Sequence, residues 1–315
     1  MYVSARSPTI YFIGVTTGRS SIMRVFPEWA RYLKLGDCAI VGMDFAPHDS
    51  PEAYRDAVRF IKEDENSLGA LVTTHKVDLL GACRDLFDEL DPYAALLGEV
   101  SSISKRDGAL VGHAKDPITS GLALAAFLPP DHWASTGAEA FIIGAGGSSM
   151  ALTWHLMRSE HAANHPSRIV VANRSRPRLD EMHRIHGELA TAVPVEYVHA
   201  PRSEQNDEVL AGLEPHSLVV NATGLGKDAP GSPLTDAAAF PAHGFVWDFN
   251  YRGDLLFLEQ ARRQLAGRYL HVEDGWVYFI HGWTQVIAEV FHMDIPSSGP
   301  GFDALSQIAA AARGS

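Results

Sequence analysis

The chain has 315 residues, 46% hydrophobic and 20% charged, the composition of an ordinary globular protein with length for two domains. Its formal charge of −12 argues against nucleic acid or an acidic membrane as the main partner. No run of about 18 apolar residues could span a bilayer. The opening MYVSARSPTIYFIGV carries an apolar stretch of strand length rather than a signal-peptide core, so a cytoplasmic protein is expected.

Strand and helix signals then alternate almost throughout, which predicts an α/β fold with a largely parallel sheet. TIYFIGV (9–15) reads as a strand running into a loop rich in Thr, Gly and Ser. MRVFPEWARYLKLG takes on helical character after Pro27 and stops at Gly36, a C-cap by type. CAIVGMDF (38–45) is a second strand. The next helix opens on Ser50 as N-cap with Pro51 at its first position, and Tyr54, Ala57, Val58 and Ile61 share its apolar face. GALVT (69–73) is a third strand. LVTTHKVDLL (71–80) places Lys76 where that strand hands over to a helix, with Thr73 on the approach. Such a lysine is either a solvated loop residue or a cleft residue that does chemistry. SSISKRDGALVGHAKD reads as a hairpin turning at Asp107-Gly108, and DPITSGLALAAFL as a helix from Asp116 with Pro117 at its first position. PPDHWASTGAE is expected to be a loop.

From Ala140 a new β-α-β series begins: AFIIGAGGSSMALTWHL, SRIVVANRS, SLVVNATGLG and GFVWDFNY, ending near residue 275. GWVYFIHGWTQVIAEVF is helical in length and pattern. Cys38 and Cys83 each fall in an apolar element and read as small buried thiols, which suits a reducing compartment. None of the fifteen histidines belongs to a Cys/His framework or an H-E-x-x-H helix, so no metal site is expected. His155, His161, His165, His183 and His186 lie in polar helical stretches and read as solvated.

FIIGAGGSS (141–149) follows a strand and opens a helix, the context that gives a glycine-rich motif meaning. Gly144 allows the tight turn, Gly146 lets a pyrophosphate approach the backbone, and Ser149 takes the place of the third small residue. Ala145, Gly147 and Ser148 complete a loop whose N–H groups and positive helix end suit an anion. At the end of the next strand, NAD-binding domains carry a carboxylate for the ribose 2′-hydroxyl. Here VVANRSRPR supplies Asn173, Arg174, Ser175, Arg176 and Arg178, with no acid before Asp180. Arginine matches a 2′-phosphate in charge and fork geometry, so NADP is expected over NAD. Asn221, Ala222 and Thr223, in VVNATGLG, end a further strand facing the same crevice. They either contact the nicotinamide side or form one more βα loop.

These pieces resemble, over most of the chain, the shikimate/quinate dehydrogenase family. GAGGSS, NRS, NATG and WDFNY resemble family blocks in order and spacing. TTHK resembles the catalytic-lysine loop, normally Asn-Val-Thr-x-Pro-x-Lys, and LVGHAKD the block that normally reads Gly-x-Asn-Thr-Asp. By that match Lys76 and Asp116 are the family's lysine–aspartate pair. The resemblance implies an N-terminal α/β substrate domain over 1–117, an NAD(P)-binding Rossmann domain over 118–275, and a C-terminal helix returning to the first domain, which 276–315 completes. It places the site in the cleft between domains.

The pair makes chemical sense. Oxidising a secondary alcohol sends a hydride to the nicotinamide and releases a proton, which something must take while steadying charge on the oxygen. A cleft lysine does both if burial draws its pKa towards neutral; an aspartate orients it, holds a substrate hydroxyl and pulls its pKa the other way. The family's Ser-x-Ser carboxylate clamp is incomplete, because Ser20 has Ile22 as its partner; Arg19 or Ser21 could compensate. Ala70, Ser101 and Ala114 stand where the family carries asparagines, and Lys115 where it carries threonine. A buried polyhydroxylated ring needs those partners. The expected substrate is therefore a related hydroxylated ring acid rather than shikimate itself. Tyr251, Tyr278 and Gln285 complete the candidate substrate residues; Tyr278 and Gln285 share a helical face with their neighbour His281, and Gln285 takes the place of the family glutamine. Monomer or homodimer is expected. The competing readings are a non-catalytic NADP-binding regulator on the same fold, and an enzyme similar to methylene-tetrahydrofolate dehydrogenases, whose Tyr-x-x-x-Lys is missing at Lys76.

Overall fold

The computed structural model describes residues 2–158, 164–189 and 191–313. The chain divides into two compact units, Met1–Asp116 with Ile280–Ser315, and Pro117–Phe279.

The first unit is built on six strands: β1 Thr9–Gly14, β2 Ala39–Asp44, β3 Ser67–Val72, β4 Glu89–Leu90, β5 Ser102–Arg106 and β6 Ala109–His113. Their order is β2-β1-β3-β5-β6-β4. β2, β1 and β3 run parallel, while β5 pairs antiparallel with both β3 and β6, so this sheet is mixed. The antiparallel part comes from the expected hairpin, whose turn residues Asp107 and Gly108 both adopt positive φ, 51° and 84°. β1 is buried along its whole length, as a central strand covered on both faces must be.

The helix expected to begin after Pro27 runs instead over Ile22–Leu33 with Pro27 inside it. Ile22, Val25, Phe26 and Trp29 are at most 1% exposed, and that burial outweighs the roughly 3 kcal/mol an internal proline costs. Trp29 also donates Nε1–H to the Leu305 carbonyl at 2.9 Å, on the helix Gly299–Arg313. The cap is Lys34, left-handed at φ 57°, and not Gly36. The helix Pro51–Glu63 opens as its sequence indicates, Ser50 Oγ accepting the Ala53 N–H at 3.3 Å, with Tyr54, Ala57, Val58 and Ile61 buried.

The second unit carries β7 Ala140–Ile143, β8 Ile169–Asn173, β9 Val195–His199, β10 Leu218–Asn221, β11 Phe245–Asp248 and β12 His271–Glu273. All pairs are parallel and the order is β12-β11-β10-β7-β8-β9. Counted from β7 this is the doubly wound order 3-2-1-4-5-6, whose direction reverses between β7 and β10. The fold is therefore α/β with a Rossmann-like unit, as expected. The stretch expected to be a loop after Pro130 contains a short helix, His132–Thr136, seated by buried His132 and Trp133. Cys38 is half-buried, Cys83 buried, and neither is in a disulfide. Among the described residues no helix is long and apolar enough to cross a membrane.

Candidate active site

In the first unit the candidate residues follow the carboxyl ends of the parallel strands, where open α/β sheets bind ligands. β1 leads into the turn Thr17–Arg19 and then Ser20 and Ser21. Thr17 fixes this loop: its backbone N–H and its hydroxyl both donate to Asp44 Oδ1, at 2.8 and 2.5 Å. Gly42 on β2 makes the contact sterically possible, since a Cβ there would lie 2.0 Å from Thr17 Oγ1. The sequence reading missed Asp44; an acid closing a strand beside a Thr-rich loop was the available signal. Ser20 is buried, Ser21 half-buried and Arg19 exposed. Ile22 is 0% exposed, a core residue.

β3 ends at Val72, and Thr73 N–H donates to the Ile13 carbonyl at 3.0 Å. Lys76 is the first residue of the helix Lys76–Cys83, and Asp116 opens the helix Asp116–Ala125. Forty residues apart in sequence, they form an ion pair between Lys76 Nζ and Asp116 Oδ2. Their side chains are only 14% and 12% exposed. Burial pushes the lysine's pKa down, but the carboxyls of Asp116 and Glu99 and the hydrogen bond to Asp116 prevail and leave it above the ordinary lysine value. Lys76 is thus an ammonium at neutral pH.

Asp116 sits beside a second polar brace. Lys115 Nζ pairs with Glu289 Oε2 at 2.5 Å, and His113 Nε2 lies 3.5 Å from the other Glu289 oxygen. Ser101 Oγ accepts the Lys115 N–H at 2.7 Å, so this hydroxyl fixes the chain just before Asp116. Breaking the brace with Glu289→Ala should leave Lys115 buried and unpaired and lower the unfolding free energy by about 3 kcal/mol, measured by urea denaturation. Gln285 is half-buried on the helix Trp276–Val290. His281, on the same helix, is 1% exposed and stacks on Phe302 with ring centroids 4.3 Å apart. Burial lowers its pKa to about 4 and keeps it neutral.

In the second unit, Gly144 has φ +119°, and a Cβ there would meet the Ala222 carbonyl oxygen at 2.8 Å. Only glycine lets the turn after β7 lie this close to the end of β10. Beside Gly146 a Cβ would meet nothing within 4 Å, which leaves the room a pyrophosphate needs. Ala145 is buried within the loop. Gly147 and Ser148 begin the helix Gly147–Met157, whose first N–H groups lack intrahelical partners. Ser149 is 0% exposed and its buried Oγ has no partner among the described residues. At the end of β8, Asn173 Nδ2 donates to the Ser175 carbonyl at 3.2 Å, which shapes the turn. Arg174 and Arg178 are exposed, while Arg176 pairs with Asp180 at 3.1 Å. An open cradle, a helix N-terminus and exposed guanidinium groups together fit a dinucleotide carrying an extra phosphate.

Asn221 is a brace. Its Nδ2 donates to Asp248 Oδ2 at 3.1 Å, and its Oδ1 accepts from both the N–H and the hydroxyl of Thr223. Asn250 completes the network, donating N–H to Asp248 Oδ1 at 2.8 Å and Nδ2–H to the Thr223 carbonyl at 3.1 Å. Burial raises the Asp248 carboxyl to about 7. Because the folded state holds that proton more tightly, the stabilisation is full below the carboxyl's ordinary pKa of 3.8 and disappears as pH rises to about 7. Thermal unfolding of Asp248→Asn should lack this slope. Tyr251 packs against Trp276 and Phe279, and Tyr278 against Trp247 and Phe249. Both tyrosines are half-buried members of one aromatic cluster.

Three histidines expected in solvent are not fully there: His155 and His165 are half-buried, with the Nδ1 of His155 shut off from solvent, and His186 is buried. His186 is 4% exposed, with Nε2 2.8 Å from Thr153 Oγ1 and Nδ1 2.7 Å from Tyr197 Oη. The apolar face of its helix, through Leu179, Met182 and Ile185, carries it inward. His161 lies outside the described residues. No cluster of three metal-ligating side chains occurs among the described residues.

No protein-family model matches the chain. It is 32% identical over 200 residues to the shikimate dehydrogenase (NADP(+)) of Symbiobacterium thermophilum, a stretch covering 62% of this chain and 64% of the relative. The chain thus spans just under two thirds of that relative's length. The shikimate dehydrogenase of Aquifex aeolicus superposes with a TM-score of 0.72 at 17% identity, covering 98% of this chain and 99% of the other. The ligand-free 5-ketofructose reductase of Gluconobacter sp. strain CHM43 gives 0.67 at 18% identity, over 97% and 99%. At these identities the likeness of the solved structures is one of fold.

Proposed function

We propose that the chain is a shikimate dehydrogenase-like enzyme that catalyses reversible, NADP-dependent hydride transfer to or from a secondary alcohol of a hydroxylated ring acid. The observation that carries this reading is the buried Lys76–Asp116 ion pair. When bound, the nicotinamide supplies the hydride chemistry. In the reducing direction the Lys76 ammonium donates its proton to the carbonyl oxygen and steadies the charge growing there. In the oxidising direction the hydroxyl proton would go to the neutral form of Lys76, a minor species at neutral pH that alkaline pH favours. Asp116 holds the lysine in place and accepts a hydrogen bond from a substrate hydroxyl. Gly144, Ala145, Gly146, Gly147 and Ser148 would hold the pyrophosphate, and Arg174 and Arg178 would pair with the 2′-phosphate. Asn173, Ser175, Asn221, Ala222 and Thr223 shape the turns around the cofactor.

The substrate pocket is altered relative to shikimate enzymes. Ile22, Ala70 and Ala114 are each 0% exposed and offer no side-chain hydrogen bond where the family offers one. Arg19, Ser20, Ser21, Thr73, Ser101, Tyr251, Tyr278 and Gln285 remain the candidate substrate contacts. The same reading keeps a cytoplasmic enzyme acting as a monomer or homodimer. Reduction of NADP should be measured over shikimate, quinate and other hydroxylated ring acids, with a neutral keto-sugar assayed alongside NADPH. We expect turnover with a ring acid and weak activity with shikimate. NADP binding without turnover of any compound would overturn the enzymatic reading, and vigorous shikimate oxidation the altered pocket. Arg174→Ala combined with Arg178→Ala should raise KM for NADP by roughly 10- to 100-fold and leave KM for NAD nearly unchanged, as steady-state kinetics with both cofactors will report.

A further inference from the structure

The lysine–aspartate pair has a third member that the mechanism above leaves unused. Glu99 is 1% exposed and follows Gly98, the left-handed cap of the helix Pro92–Leu97. The next residue, Val100, donates its N–H to the Lys76 carbonyl at 3.2 Å, which ties the two backbones side by side. Glu99 Oε1 is fully buried and has no hydrogen-bond partner among the described residues, a costly arrangement for a carboxyl. The charged groups that act on it are Lys76 and Asp116. Lys115, Glu289, His113 and Asp91, on neighbouring elements, pair among themselves.

We propose that Glu99 is a positioning residue that acts through Lys76: the second carboxyl of a buried lysine–dicarboxyl cluster, whose proton decides how firmly the lysine holds its own. This rests on the catalytic reading of Lys76, though its first test does not. Burial pushes the Glu99 carboxyl up to about 7, with the Lys76 ammonium pulling it down and Asp116 adding to the rise. Near neutral pH the group therefore changes charge. Ionised, it gives Lys76 a second counter-charge beside Asp116 and holds it more firmly as the ammonium. Protonated, it leaves Asp116 alone, and Lys76 gives up its proton more readily. The switch itself needs no further reactant. In oxidation the substrate O–H would break and an N–H form on Lys76, while the carbinol C–H would be lost as hydride with bound NADP as the oxidant.

The first test is an infrared titration of protein labelled with carbon-13 glutamate. A protonated buried-carboxyl band should disappear around neutral pH in the wild type and be missing in Glu99→Gln. In Lys76→Met it should persist to higher pH, because the charge that favours ionisation has gone. A band absent from the wild type, or unmoved by Lys76→Met, overturns the proposal. The second test is the pH profile of kcat. Glu99→Gln should move the limb belonging to Lys76 down by about one pH unit, with KM little changed, and Glu99→Asp should restore most of the shift. A folded Glu99→Gln enzyme with an unshifted profile also overturns it; if that variant does not fold, the wild-type and Lys76→Met titrations decide. A coupled titration in a protein that turns over nothing would sink the catalytic reading and spare the cluster. Turnover without coupling would do the reverse.

Discussion

Replacing Lys76 with methionine should lower turnover by about three orders of magnitude or more while NADPH affinity stays within roughly twofold. The lysine is asked to supply both proton transfer and charge stabilisation, and methionine supplies neither at nearly the same length. The cofactor loop belongs to the other compact unit, so its affinity serves as the internal control. Asp116 would be left largely buried without its counter-charge, so Lys76→Met should also unfold at a lower temperature. Adding Asp116→Asn should recover stability but not turnover, which separates the two effects. Near-wild-type rates in Lys76→Met would remove the lysine from the mechanism.

The second large effect falls on cofactor binding. Gly144→Val should weaken NADPH by at least about tenfold and lower the unfolding free energy by about 2 kcal/mol or more. Valine at φ +119° is strained, and its Cβ would come within 2.8 Å of the Ala222 carbonyl oxygen. That oxygen belongs to backbone, which cannot swing aside as a side chain does. The turn would have to part from the end of β10, opening the cradle that the anion needs. Fluorescence titration with NADPH and a urea melt will measure both losses. A Cβ placed at Gly146 meets no atoms within 4 Å, so loss of affinity without loss of stability in Gly146→Ala would point to a ligand clash alone.

Much of this was legible in the sequence because it was local. The glycine loop between a strand and a helix, the Ser50 cap and the Asp107-Gly108 turn each announce themselves within a few residues. The helix around Pro27 was misjudged because a strong local breaker lost to four buried side chains, and burial is a property of the partner helix as much as of the sequence. His186 was misplaced for a related reason: a polar residue beside charged neighbours looks solvated until Tyr197 and Thr153, on other elements, supply partners. The meeting of Lys76 and Asp116 could be anticipated only through a family likeness. The Glu99 carboxyl behind them could not, since neither spacing nor composition marks a side chain as buried next to a charge distant in the chain.

The clasp between Thr17 and Asp44 bears on any attempt to redesign specificity. Transplanting a two-serine loop into positions 16–22 would carry over the new hydroxyls but not the strand that anchors them. Gly42 and Asp44 would have to be treated as part of the graft, and Ile22 could become serine only if something else filled the apolar space beneath it. If the proposed pocket is the right one, its specificity would be inherited in blocks, a loop together with its neighbouring strand, rather than one contact at a time.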